Sequence, residues 1–188
     1  MKVFSYLPLF MLIILAGCSP DEREQSQQEQ RQQQLQSQLV QSNPEFDSQL
    51  EELLNIYFDL KDALVESDPV TASSAAESLI SFIEQVGTGG LTPETLTIWE
   101  TYAGTLAEEA DRMIAEEDVE QQRLYFETLS EAMIDLVKTF QPVNFTVYHQ
   151  RCPMVRDGSA DWLSREEQIA NPYHGDRMMR CGEIIERI

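Results

Sequence analysis

Asn43-Pro44-Glu45-Phe46-Asp47-Ser48-Gln49-Leu50-Glu51-Glu52-Leu53-Leu54-Asn55-Ile56-Tyr57-Phe58-Asp59-Leu60 decides the fold class. Asn43 can accept from a free N–H at a helix start, and Pro44 sits where no N–H is needed. Phe46, Leu50, Leu53, Leu54, Tyr57, Leu60 and Leu64 then recur at spacings of three and four, which is one face of a helix. The device repeats downstream. Asp68-Pro69 opens a second helix with Ala72, Ala75, Ala76, Leu79, Ile80, Ile83 and Val86 on its apolar side, closed by the glycines between 87 and 90. Thr92-Pro93 opens a third, with Glu94 placed where the helix dipole favours an acid. Its stripe is Leu96, Trp99, Tyr102, Ala103, Leu106, Ala110, Met113 and Ile114. Asp118 and Gln121 suggest a capping box for a fourth, carrying Phe126, Leu129, Met133, Leu136, Val137 and Phe140, and Pro142 stops it. Loops this short make successive helices antiparallel, so residues 43–142 read as an up-down four-helix bundle.

Outward from this bundle, composition narrows the function. The chain has 188 residues, with 13 basic and 33 acidic side chains and a formal charge of −20. Nucleic-acid binding needs basic stripes to meet phosphate, and none is present. There is no Gly-rich phosphate loop, no His-Glu-x-x-His and no His within the bundle, so the sequence predicts a protein that is not an enzyme. The acids between the apolar stripes read as solvated faces, and the aromatic and Met residues within them as core.

Residues 143–188 have a different texture. They hold both His, both Cys beyond position 18, and six Arg against seven acids, for a net −1; the other 142 residues carry −19. Val143, Phe145 and Val147 alternate with more polar residues and predict a strand over residues 143–149. Residues 183–188 are a second strand able to pair with it. Ser164 and Glu167 fit a capping box for a short helix ending near Asn171. The result is a small α+β module packed on the bundle.

Two sulfur clusters flank that excursion: His149-Gln150-Arg151-Cys152-Pro153-Met154 and His174-Gly175-Asp176-Arg177-Met178-Met179-Arg180-Cys181. Cys152-Pro153-Met154 mirrors Met179-Arg180-Cys181. In extended backbone, residues two apart share a side, so each cluster would present a thiolate and a thioether together. Strand pairing would then bring two Cys and two Met into one group, with His149 or His174 near. Such a group suits Cu(I), a soft ion; zinc would leave the thioethers unused. The same two cysteines, in an oxidising compartment, also suit a Cys152–Cys181 disulfide, which would close a loop of about 30 residues and stabilise by roughly 3–4 kcal/mol in the chain-entropy model. A thiol–disulfide oxidoreductase would want the Cys-x-x-Cys spacing that this chain lacks. Arg151, Arg177 and Arg180 could dock an acidic partner or simply pair with the bundle.

The N-terminus reads as an address. Lys2 is followed by an apolar run over residues 3–15 and by Leu15-Ala16-Gly17-Cys18. That tetrad resembles the bacterial lipobox, which implies a signal peptide over residues 1–17, cleavage before Cys18, and lipid on the Cys18 thiol and amine. A retained spanning helix would be at the bottom of the usual length range. Ser19 rather than Asp after the cysteine resembles outer-membrane sorting, which implies a cell-envelope location facing the periplasm. Residues 18–42 are the lipidated cysteine and a polar tether, with Gln at ten of the seventeen positions 25–41. As coil, such a tether reaches roughly 25–30 Å.

The string Cys152-Pro153-Met154, Ala160-Asp161-Trp162-Leu163-Ser164, Ile169-Ala170-Asn171-Pro172-Tyr173, Gly175, Met178 and Cys181-Gly182-Glu183 resembles a bacterial periplasmic family catalogued as domain of unknown function 3347. The likeness extends to the stretch from Tyr57 to Leu64 and to Phe126-Glu127-Thr128-Leu129-Ser130. Members look like secreted or lipid-anchored helical domains, some similar or joined to periplasmic adaptors of heavy-metal efflux pumps. The resemblance implies copper or a similar soft metal as ligand, with Cys152, Met154, Met178, Met179 and Cys181 as candidate ligands and His149 and His174 beside them. It also implies an efflux adaptor or copper-handling protein as partner. His174 departs from the family pattern, where an aromatic residue would follow the Tyr. Trp162, Asn171, Pro172 and Tyr173 read as scaffold for the two clusters.

Overall fold

The computed structural model describes residues 40–156 and 158–188. The expected signal peptide (residues 1–17), Cys18 and all but the last residues of the expected tether lie outside them. Four helices come first: α1 (Pro44–Val65), α2 (Pro69–Ile83), α3 (Pro93–Ile114) and α4 (Val119–Phe140). Each begins where its cap predicts. Asn43 Oδ1 accepts from the amides of Glu45 and Phe46 at 3.1 and 3.0 Å, and Asp68 Oδ1 accepts from those of Val70 and Thr71, both at 3.1 Å. Thr92 Oγ1 accepts from the Thr95 amide at 3.2 Å, and Asp118 from the Glu120 amide at 2.9 Å. Gln141, in the left-handed region at φ 49°, ends α4 just before Pro142.

Successive helices pack side by side, with the predicted stripes facing inward. Phe46 meets Trp99 edge-on at 5.5 Å and Phe140 at 5.3 Å, which joins the start of α1 to α3 and to the end of α4. Tyr57 stacks on Phe126 at 5.6 Å. Among the described residues no helix is long and apolar enough to cross a membrane.

A three-stranded antiparallel sheet, order β2-β1-β3, follows: β1 (Tyr148–Val155), β2 (Gly158–Ser164) and β3 (Glu183–Arg187). β2 lies on α4, and the Leu163 amide donates to the Tyr57 hydroxyl of α1 at 3.1 Å. That hydroxyl is also 2.6 Å from Ser130 Oγ of α4, so one buried phenol links α1, α4 and the sheet. Each of these buried polar groups finds a partner, as burial requires.

Three local expectations are corrected. The strand predicted over residues 143–149 begins only at Tyr148 and runs on through Cys152; upstream, Val147 and Ile188 exchange two backbone hydrogen bonds that extend the β1–β3 pairing. β2 had no counterpart in the sequence reading, because Trp162, Leu163 and Ser164 are all buried and the strand shows no alternation. The short helix from Ser164 to Asn171 does not form. Ser164 Oγ accepts from the Glu166 amide, two residues on, and the Gln150 side-chain amide takes the Glu166 carbonyl at 2.9 Å. Glu167 is drawn away to Arg187 at 2.6 Å instead of closing a capping box. A single 3₁₀ turn, Gly175–Arg177, is the helical piece of this segment.

Candidate functional site

Cys152 sits in β1 opposite Ala160, fully buried, on the same sheet face as Gln150 and Trp162. Cys181 reaches it from the loop before β3. The loop is organised by Asn171, whose side-chain amide donates to the Cys181 carbonyl at 2.8 Å. Its backbone N–H donates to Met179 at 3.0 Å, and its Oδ1 accepts from the Tyr173 amide at 2.8 Å. A turn from Met178 to Cys181 then delivers the thiol. Gly182 follows at φ 154°; a Cβ there would lie 2.9 Å from the Trp162 ring and 3.0 Å from the Arg151 carbonyl, so only glycine lets the chain pass this close to the sheet. The outcome is two free thiols in contact, Cys152 Sγ to Cys181 Sγ at 3.1 Å. Cys152's hydrogen bond, with burial, pushes the Cys181 thiol up to about 11, so Cys181 holds its proton at neutral pH.

The remaining candidate ligands are distributed unevenly. Met154 does not share Cys152's side: the β1–β2 register shifts between Cys152 and Val155, Arg156 turns at φ 51°, and Met154 ends 54% exposed. Met178 is 36% exposed and Met179 half-buried. His174 Nε2 donates to the Met154 carbonyl at 2.9 Å, tying the second cluster to the main chain of the first. His149 does not join the sulfur group. It lies three residues from Cys152 along a regular strand, hence on the opposite face. There its Nε2 is 2.7 Å from Asp161 Oδ2, while Nδ1 is buried without a partner, 4.0 Å from Glu186.

Asp161 and Arg123 were missed by the sequence reading. Burial pushes the Asp161 carboxyl up, but hydrogen bonds from Arg151 and His149 outweigh it and hold the group below the usual range. The Arg151 contact is a fork, Nε at 2.6 Å and Nη2 at 2.8 Å. Arg123 of α4 is 2% exposed and donates to the carbonyls of Pro172 and Leu64, both at 2.7 Å, to Ser67 Oγ at 2.9 Å and to Glu120 at 2.5 Å. It fastens the Asn171-Pro172-Tyr173 turn to the end of α1. No spacing rule points to it, because two of its acceptors are main-chain carbonyls.

The module's arginines are engaged within the molecule. Arg177 meets Glu120 at 2.7 Å, Arg156 meets Glu127, and Arg180 donates to the Ile169 carbonyl at 2.9 Å. Among the described residues, no three His, Cys, Asp or Glu side chains converge on a common point. The donors that do gather are sulfurs, which take soft ions or oxidation, the chemistry of thiols.

No curated protein and no solved structure matches this chain. A family model described as "Protein of unknown function (DUF3347)" matches residues 53–144. That span runs from within α1 to just past α4 and includes Tyr57 and Phe126; the cysteine-bearing strand and loop lie beyond it. Through these residues, the chain's helical body is similar to the DUF3347 family.

Proposed function

We propose that this protein is a lipid-anchored module of the bacterial envelope whose C-terminal sulfur centre binds a soft metal ion, Cu(I) foremost, and buffers it or passes it to a heavy-metal efflux or copper-handling partner. One observation carries the reading: thiols 29 positions apart, Cys152 and Cys181, meet at 3.1 Å. Met154 and Met178 are exposed, two and three positions along the chain from the cysteines, and the His174 bond to the Met154 carbonyl keeps the two clusters adjacent. The donor chemistry fits the ion, since thiolate and thioether are soft. The spacing requires adjustment: with two metal–thiolate bonds of about 2.3 Å, an open or linear S–metal–S angle sets the sulfurs up to about 4.6 Å apart, so they would part from their present 3.1 Å contact. Cys181, half-buried and outside any strand, is the one whose side chain would turn. Anchoring through Cys18 rests on the lipobox-like tetrad, and the tether would hold the domain off the lipid surface.

Copper K-edge absorption of the reduced chain loaded with one equivalent of Cu(I) tests this. The reading expects a sulfur-dominated shell that is lost in Cys152→Ser. A shell of nitrogen and oxygen would overturn it.

A second reading is favoured by Cys152's complete burial and by the direct contact of the two sulfurs. It is a structural or interaction lipoprotein stapled by a Cys152–Cys181 disulfide, with no metal. It expects no free thiols at these positions in the isolated protein, and a large loss of thermal stability on reduction.

A further inference from the structure

We propose that Cys152 and Cys181 are a reversible redox gate on the sulfur centre, closed by disulfide exchange that enters through Cys181. Its consequence for metal uptake rests on the soft-metal reading; its chemistry rests on the thiol geometry alone.

The two thiols are poised to bond. From 3.1 Å the sulfurs need approach by only about 1 Å to reach the bonded separation of about 2.05 Å. The approach is pre-set, because Asn171 holds the Cys181 carbonyl and Gly182 pins the next residue against Trp162. The thiols are not equivalent. Cys152 lies within the β1–β2 ladder and has no exposure. Cys181 lies outside any strand and is only half-buried. An external disulfide can therefore meet Cys181 and cannot meet Cys152. Access of this kind decides which sulfur reacts first in exchange.

The steps balance with an external disulfide, R–S–S–R, as oxidant. The Cys181 thiolate attacks one of its sulfurs, forming a mixed disulfide and expelling R–S⁻. Cys152 then gives up its proton and attacks the Cys181 sulfur, expelling the second R–S⁻. The external disulfide is reduced by two electrons, the cysteine pair is oxidised by two, and the protons of the two thiols pass to the two released thiolates. The closed gate has no thiolate left for a soft ion. A dithiol reductant reverses each step through the same accessible sulfur.

The test treats the reduced full chain with oxidised glutathione and follows peptides containing residues 152 and 181 by mass. In the wild type, the gate expects an internal Cys152–Cys181 link with no glutathione retained on either residue, undone by dithiothreitol. In Cys152→Ser, a glutathione adduct should accumulate on Cys181. In Cys181→Ser, the adduct on Cys152 should form at least about tenfold more slowly, as access governs the attack. Two thiols persisting in the wild type, or equal rates of capture in the two variants, would overturn the gate. Cu(I) uptake measured before oxidation, after it, and after re-reduction should be present, absent and restored. A reduced chain that takes up no Cu(I) overturns the soft-metal reading, whereas the exchange results by themselves decide the thiol chemistry.

Discussion

At the scale of single residues, three polar side chains, Arg123 and Tyr57 buried and Asp161 half-buried, hold the C-terminal module together. Arg123 supplies four hydrogen bonds, two of them to carbonyls that water cannot reach. Arg123→Met keeps the stem and removes the donors, leaving those carbonyls and a buried edge unsatisfied; the expected loss is about 3 kcal/mol, read from the midpoint of urea denaturation. Tyr57→Phe removes one hydroxyl serving both Ser130 and the Leu163 amide, with an expected cost of about 1–2 kcal/mol in the same measurement. Asp161 acts through pH. Its folded carboxyl titrates below its unfolded value of about 3.9, so its contribution is complete above that pH and is lost as the pH falls through the lower folded value. Asp161→Asn should therefore flatten the acid limb of stability below about pH 4, measured by denaturation at stepped pH. None of these three roles could be read from the sequence. Tyr57 was placed correctly in the core, but its hydroxyl's work depends on a strand more than a hundred positions away.

At the scale of elements, the helices were legible and the module only partly so. Each helix start carries its own chemistry: a side chain that accepts from free amides, a Pro in the first turn for three of the four, and an apolar stripe of helical period. The second strand could not be found by alternation because both its faces are covered near Trp162 and Leu163. The Ser164–Glu167 signal misled because the carbonyl of Glu166 and the carboxylate of Glu167 were claimed by Gln150 and Arg187, neither visible from local sequence. The loop's one 3₁₀ turn begins at Gly175, at φ 55°, where a Cβ would meet Ser67 Oγ at 2.5 Å and the Val65 carbonyl at 3.0 Å. Gly175→Ala should cost about 1–3 kcal/mol through backbone strain and displacement of the α1 end. Thermal denaturation followed by circular dichroism checks it.

At the scale of the molecule, the sheet closes the helical body. β2 rests on α4 while α1 reaches it through Tyr57, and Tyr173 packs between Phe126 and Trp162 at 5.7 and 6.0 Å. Bundle and sheet thus share one core, and they should unfold together. Trp99 reports on the helices and Trp162 on the sheet, so Trp99→Phe and Trp162→Phe single-tryptophan proteins should give coincident fluorescence midpoints in urea; midpoints well separated would mean two independent units. In the sequence, the approach of the two sulfur clusters hung on the pairing of the strands that flank the excursion. Sequence reading did not foresee the burial of Cys152 or the outward turn of Met154, because both depend on a register shift at the β1–β2 turn. The central claim is that this sulfur pair takes Cu(I). Native mass spectrometry of the reduced chain, offered Cu(I) against a competing chelator, tests it most directly. The account predicts a single copper adduct that disappears in both Cys152→Ser and Cys181→Ser. No adduct on the reduced wild type, or an adduct that survives either substitution, would contradict it.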